Sequence, residues 1–181
     1  MKALLHFQTR FFFLLFCCLS IPLLMDSLSY AQESSRPLIK KASAQKHIIP
    51  SKKHQPNQIQ ADLDGDDVLD TVTLVQNLKN KKYGLEISFG NGKKEYLAMG
   101  RDLLEQGVDN LDWVGVFKKA PRGSVYWNNV NEEGDIISNL EVKDEEKIKL
   151  KHDGIFIHNA ESCGGGIIYF ESGKFKWIQQ E

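Results

Sequence analysis

Cysteine is scarce in this 181-residue chain, and only three are present. Cys17 and Cys18 lie in the first apolar run, which leaves Cys163 alone in the remainder. A disulfide framework is thereby excluded, and the fold has to hold by packing. There is no Asn-x-Ser/Thr sequon, and the longest apolar run, Phe11 to Met25, has fifteen residues. That falls short of the ~20 that a spanning helix needs. No glycine loop followed by Lys-Ser/Thr is present, nor His-Glu-x-x-His, nor Gly-x-Ser-x-Gly, so the common nucleotide, zinc-protease and serine-hydrolase motifs are missing. Charge of one sign is lacking too, with a formal net of −1. This excludes a uniformly basic nucleic-acid binder and a wholly acidic disordered chain.

The small total conceals a partition. Residues 1–31 carry two Lys/Arg against one Asp, and residues 32–58 carry six Lys/Arg against one Glu. Residues 59–181 carry 15 Lys/Arg against 22 Asp/Glu. The chain is therefore a basic arm on an acidic body.

Residues 1–31 read as an address. Lys2 and Arg10 precede the apolar run, and Ser29 and Ala31 then stand at small-residue spacing. A charged start, an apolar middle and an Ala-x-Ala-like end make a cleavable secretory signal, with cleavage expected after Ala31. No small residue precedes Cys17 or Cys18 in the manner of a lipid-anchoring signal. The expected location is periplasmic or secreted, with no transmembrane segment in the mature chain. Residues 32–58 are rich in Ser, Lys, Gln and His, and their apolar residues form no run longer than a short pair such as Ile48-Ile49. They read as a flexible basic linker, since so little apolar surface does not offset the entropy of ordering. Their charge suits an anionic envelope surface or simple solvation.

From Ile59 the pattern is of short alternating runs broken by Gly, Asn and Asp. Val72 to Val75 reads as a strand. Tyr83 to Phe89 and Lys94 to Met99 flank Gly90-Asn91-Gly92, a strong hairpin signal. Further strands are expected at Leu111 to Phe117, Ser124 to Trp127, Ile136 to Val142, Lys147 to Leu150, Gly154 to His158, Gly166 to Phe170 and Lys174 to Ile178. Only Asp102 to Gln106, closed by Gly107, reads as a helical turn. The expected fold over 59–181 is mostly β: an antiparallel β-sandwich or barrel-like sheet with one short helical turn.

One stretch carries chemistry. Asp62-Leu63-Asp64-Gly65-Asp66-Asp67-Val68-Leu69-Asp70 places five carboxylates in nine residues. Asp at positions 1, 3, 5 and 9 lets one loop wrap a hard ion. Calcium takes ~6–8 oxygen ligands and tolerates irregular geometry, whereas magnesium demands octahedral order. The expected ligands are the carboxylates of Asp62, Asp64 and Asp66, the backbone carbonyl of Val68, and Asp70 directly or through water. Gly65 supplies the tight turn. The alternative is an acidic, solvated surface turn. A helical calcium hand fits less well, because its twelfth position would be Thr73, where a bidentate Glu is wanted.

Asp-x-Asp-Gly-Asp-x-x-x-Asp followed by the apolar run Val72 to Val75 resembles the calcium loop of FG-GAP or integrin-alpha-type repeats. The resemblance implies a loop between adjacent strands whose connection a structural calcium ion fixes. It covers nine loop residues and the next strand. Asp67 stands where the family usually has Gly, a position that favours φ > 0, and Asp is among the more tolerant replacements there. Such repeats occur in several copies around a propeller, and this chain has one good copy, so a propeller is not expected. Asn129 to Asp135 echoes the layout faintly and reads as a hairpin turn.

The remaining constellations are weaker. Cys163 precedes Gly164-Gly165-Gly166, with His152 and His158 upstream, which permits a small hydrolase using Cys163 and His158. A loop or bulge with an inert thiol is the commoner meaning of those residues. Tyr126, Trp127, Tyr169, Phe170, Phe175 and Trp177 allow a carbohydrate or peptide groove, although strand aromatics are commoner as core. The functional expectation is an exported binding protein with a structural calcium-binding loop and an unidentified protein or envelope partner. Its rival is a periplasmic inhibitor or immunity-type protein that offers its acidic face to a basic partner.

Overall fold

Val72 and Leu74 are fully buried, while Thr71 and Thr73 beside them are half-exposed. That period of two in β-branched sequence makes a half-buried strand. The computed structural model describes residues 47–181 except Glu132. The expected signal sequence, 1–31, and the linker as far as Lys46 lie outside the described residues. The strands are β1 (Ile48–Pro50), β2 (Gln58–Ala61), β3 (Asp70–Asn77), β4 (Tyr83–Ser88), β5 (Lys94–Ala98), β6 (Val116–Ala120), β7 (Val125–Tyr126), β8 (Ile148–Lys149), β9 (Gly154–His158), β10 (Gly165–Glu171) and β11 (Lys174–Gln180).

All pairings are antiparallel. The first sheet runs β1-β3-β4-β5, with β2 also on β3; the second runs β11-β10-β9-β6; β7 and β8 form a small ribbon. No barrel closes among the described residues. Leu74, Leu85 and Ile87 of the first sheet meet Ile155, Ile157 and Ile168 of the second in one buried cluster. A second cluster, around Ala120, Leu150, Ile167 and Ile178, has Tyr126 of β7 and Ile148 of β8 packed against it. Ile167 and Ile168 are consecutive and fully buried, yet they belong to different clusters. β10 is thus covered on both faces. Burying each Leu or Ile contributes about 1.5–3 kcal/mol, and Cys163 is a free thiol, so packing holds the domain.

The Gly90-Asn91-Gly92 hairpin joins β4 to β5 as expected, with Gly92 at φ 85. Asn129 to Asp135 forms a turn, closed by a bridge between Val130 and Ile136 and by Asp135 N–H donating to Asn131 Oδ1 at 2.7 Å.

Four expectations are corrected. The linker does not extend to residue 58. β1 and β2 share one edge of β3, where Ile48 pairs with Asn77 and Gln58 with Thr73. Between them Ser51 N–H donates to Leu74 O, and Leu74 N–H to Asn57 O, both at 2.8 Å. Backbone pairing to a long neighbour supplies what the composition lacks. Asp102 to Gln106 is not a helical turn, because Leu104 and Glu105 have φ 51 and 66, in the left-handed region. The one helical turn among the described residues is a 3₁₀ turn at Asp144–Glu146. Ile136 to Val142 is not a strand. Ile136 and Leu140 are exposed, with no sheet face to cover them, and only the single bridge forms. The strand expected from Leu111 begins at Val116, and Leu111 and Val114 reach the core from a loop.

Candidate metal centre

β2 and β3 are neighbours, and Ala61 pairs with Asp70 at the base of the 62–69 loop. Gly65 takes φ 81 and Asp67 takes φ 63, both in the left-handed region. Asx turns shape the interior. Asp62 Oδ1 accepts from Gly65 N–H at 2.7 Å, Asp64 Oδ1 from Asp66 N–H at 3.3 Å, and Asp66 Oδ1 from Val68 N–H at 2.8 Å.

Asp70 is fully buried. Its Oδ2 accepts from Leu63 N–H and its Oδ1 from Gly90 N–H, both at 2.9 Å. One carboxylate therefore ties the start of the loop to the β4–β5 turn. Burial pushes the Asp70 carboxyl above its ordinary range, the two N–H groups oppose this, and the Asp64 and Asp66 charges add to it.

Of the five expected ligands, the structure gathers three. Asp62, Asp64 and Asp70 each place one oxygen within 4.8 Å of the others. Like charges at 4.8 Å repel by about 3 kcal/mol per pair at an effective dielectric of ~20. Among the described residues no Lys, Arg or His ion-pairs with any of the three. This donor set can hold a metal ion. Asp66 and Val68 lie on the exposed side of the loop, outside the cluster.

Two neighbours escaped the sequence reading. Asp153 Oδ2 accepts from Asp62 N–H at 3.2 Å, and Asp153 N–H donates to Asp62 O at 2.9 Å. Asp153 Oδ1 accepts from Arg122 N–H at 2.9 Å, and Lys119 Nζ lies 3.1 Å from Oδ2. Burial alone would raise the Asp153 carboxyl, but the bonds from Arg122, Lys119 and Asp62 outweigh it and hold the group low. His152 packs over Gly65, where a Cβ would meet ring atoms at 2.0 and 2.1 Å, and its Nδ1 is buried without a partner. Ninety-one positions separate Asp62 from Asp153, and no local signal links them. A His-Asp-Gly run before a strand reads only as a turn.

Cys163 is exposed, and no hydrogen bond joins it to His158, whose Nδ1 lies 2.6 Å from Asn159 O. Phe156 stacks on the His158 ring at 5.8 Å between centroids. No helix among the described residues is long and apolar enough to cross a membrane.

These residues define an antiparallel β protein with an acidic loop that can hold a metal. No protein-family model, no curated protein and no solved structure matches the chain.

Proposed function

We propose that this is an exported binding protein whose β domain is fastened by one calcium ion in the 62–70 loop, in the manner of an FG-GAP-type loop. The carrying observation is the trio of Asp62, Asp64 and Asp70, gathered within 4.8 Å, one of them fully buried, with no basic side chain paired to any. A divalent cation relieves that repulsion, and the irregular, all-oxygen donor set favours calcium over magnesium. Asp66 and the Val68 carbonyl, on the exposed side and outside that trio, are the remaining candidate ligands.

The role assigned to the ion is structural. Asp70 joins Leu63 to Gly90, and Asp62 joins Asp153, so an ion among them fastens both sheets to one loop. Export is supported by the charged, apolar and small-residue order of residues 1–31.

Because the ion binds the folded loop and not the unfolded chain, it stabilises by mass action. At ten times Kd the gain is about 1.4 kcal/mol, or about 3–6 °C for a domain of this size. Thermal melts in millimolar calcium and in chelator test this: the difference should be present in the native protein and absent in Asp64→Ala. Coincident melts would leave an acidic turn.

A further inference from the structure

Beside the β9–β10 connection lies a cleft of about 270 Å³ that none of the 62–70 residues lines. Its walls include Trp113 and Trp177, the amides of Gln106, Asn159 and Gln179, and the thiol of Cys163. We propose that this cleft binds a neutral saccharide, one or two pyranose rings of a longer glycan. The proposal deepens the reading of the chain as a binding protein and is independent of the calcium ion.

The size sits just below the ~300–1,000 Å³ of ordinary small-molecule sites, which suits a ring or two. No lining residue is ionisable apart from the Cys163 thiol, in a chain where 26% of residues are charged. An ionic ligand would lose its water there without gaining a partner. Indoles offer flat apolar faces to the C–H side of a pyranose.

One indole is held in place. Trp177 Nε1–H donates to Gln179 Oε1 at 2.9 Å, and Gln179 Nε2–H donates to Glu181 Oε1 at 2.7 Å. The ring rests on Gly166, where a Cβ would lie 2.2 Å from its Cζ2. Gly165 is pressed against β9, where a Cβ would lie 2.4 Å from Ile157 O, and Gly164 has φ 117. Gly164 and Gly165 line the cleft, and Gly166 lies beneath the Trp177 ring.

Donors and acceptors stand beside the rings. Asn159 Oδ1 accepts from Glu161 N–H at 3.0 Å, and its NH₂ has no partner among the described residues. Gln106 Nε2–H donates to Leu104 O at 2.8 Å, which leaves its Oε1 open. The Trp113 indole N–H also has no partner among them. A vicinal diol, each hydroxyl both donor and acceptor, uses such a mixture. An apolar peptide side chain would strand these groups, at about 1–3 kcal/mol each. The aromatic set expected from sequence included Trp177 but not Trp113, which lies before β6 in a loop.

The test uses the full chain with cellotetraose, chitotetraose and maltotetraose as probes, each at concentrations up to the ~10 mM range of weak binding. At least one should shift tryptophan fluorescence and slow alkylation of Cys163 by iodoacetamide severalfold. Trp177→Ala should weaken that binding about tenfold or more, which is ~1.4 kcal/mol. Asn159→Ala and Gln106→Ala, at positions outside the core, should weaken it with the fold intact by circular dichroism. Asp64→Ala should bind as the native protein does, so loss of the calcium effect and loss of the saccharide effect are separable. The proposal is overturned if none of the three probes moves either signal, if the amide variants bind unchanged, or if an acidic oligogalacturonate binds more tightly than the neutral probes.

Discussion

The imidazole of His152 lies directly on Gly65, so that a methyl group at 65 would sit 2.0 Å from Cε1 and 2.1 Å from Nδ1. Two requirements meet at one residue: a left-handed φ of 81 and the absence of a side chain beneath a ring. Either alone disfavours substitution. Gly65→Ala should therefore destabilise by about 2 kcal/mol or more, combining the ~1–2 kcal/mol of the backbone conformation with overpacking. Urea denaturation measures it. A loss under 0.5 kcal/mol would contradict the packing described, since surface changes away from such features stay within about that range.

Asp70 and Asp66 belong to the same motif but should respond differently to truncation in the absence of any ion. Asp70→Ala leaves the N–H groups of Leu63 and Gly90 without their acceptor, which costs about 2–4 kcal/mol. Asp66 is exposed and its side chain only caps Val68 N–H, so Asp66→Ala should cost about 0.5–1 kcal/mol. Denaturation midpoints of the two variants in chelator decide the ranking.

His54 should make stability depend on pH. Burial, and then the charge of Lys53, hold its pKa below the ordinary 6.5. The unfolded chain therefore takes up this proton at a higher pH than the folded one, and stability rises with pH in that interval. The contribution is complete above 6.5 and falls away as pH drops through the lower, folded value. His54→Phe, which keeps a ring against Tyr83, removes this dependence, so the native-minus-variant difference in urea midpoint should be larger at pH 7.5 than at pH 4.5. A difference curve without slope would refute the assignment.

The register of β1 and β2 makes a prediction about length. A chain begun at His47 retains both strands on the β3 edge, whereas a chain begun at Ile59 loses β1, the Gln58–Thr73 pair of β2 and the Ser51 and Asn57 bonds to Leu74. The shorter chain should expose an unpaired strand edge and self-associate. Light scattering of the two at equal concentration checks it, and equal monodispersity would count against the pairing.

Elements with dense alternation were legible. Val72 to Val75, the Asn-Gly hairpin and the last three strands carry their own period and their own turns, so their partners lie next to them in sequence. β1 and β2 were not, because three or four residues hold no period and their ordering comes from β3. Ile136 to Val142 misled for the opposite reason: it has strand-forming residues but no strand opposite. Leu103-Leu104 followed by a later Gly107 looked like the end of a helix, yet the turn runs through left-handed φ and closes with Leu103 N–H on Val108 O. In the loop, spacing singled out Asp62, Asp64, Asp66, Val68 and Asp70, of which Asp62, Asp64 and Asp70 come together. It could not show that Asp66 would face outward, nor that Asp153 and His152 would arrive from the far end of the chain.

The consecutive isoleucines of β10 have one more implication. Because side chains along a strand point alternately, Ile167 and Ile168 commit a single backbone to two separate interiors, and a shift of one position against β9 or β11 would send each to the wrong side. Neither interior can be repacked by sliding this strand, so mutations that enlarge a residue on one side must be absorbed locally or be felt on the other. β10 is the party wall of the molecule.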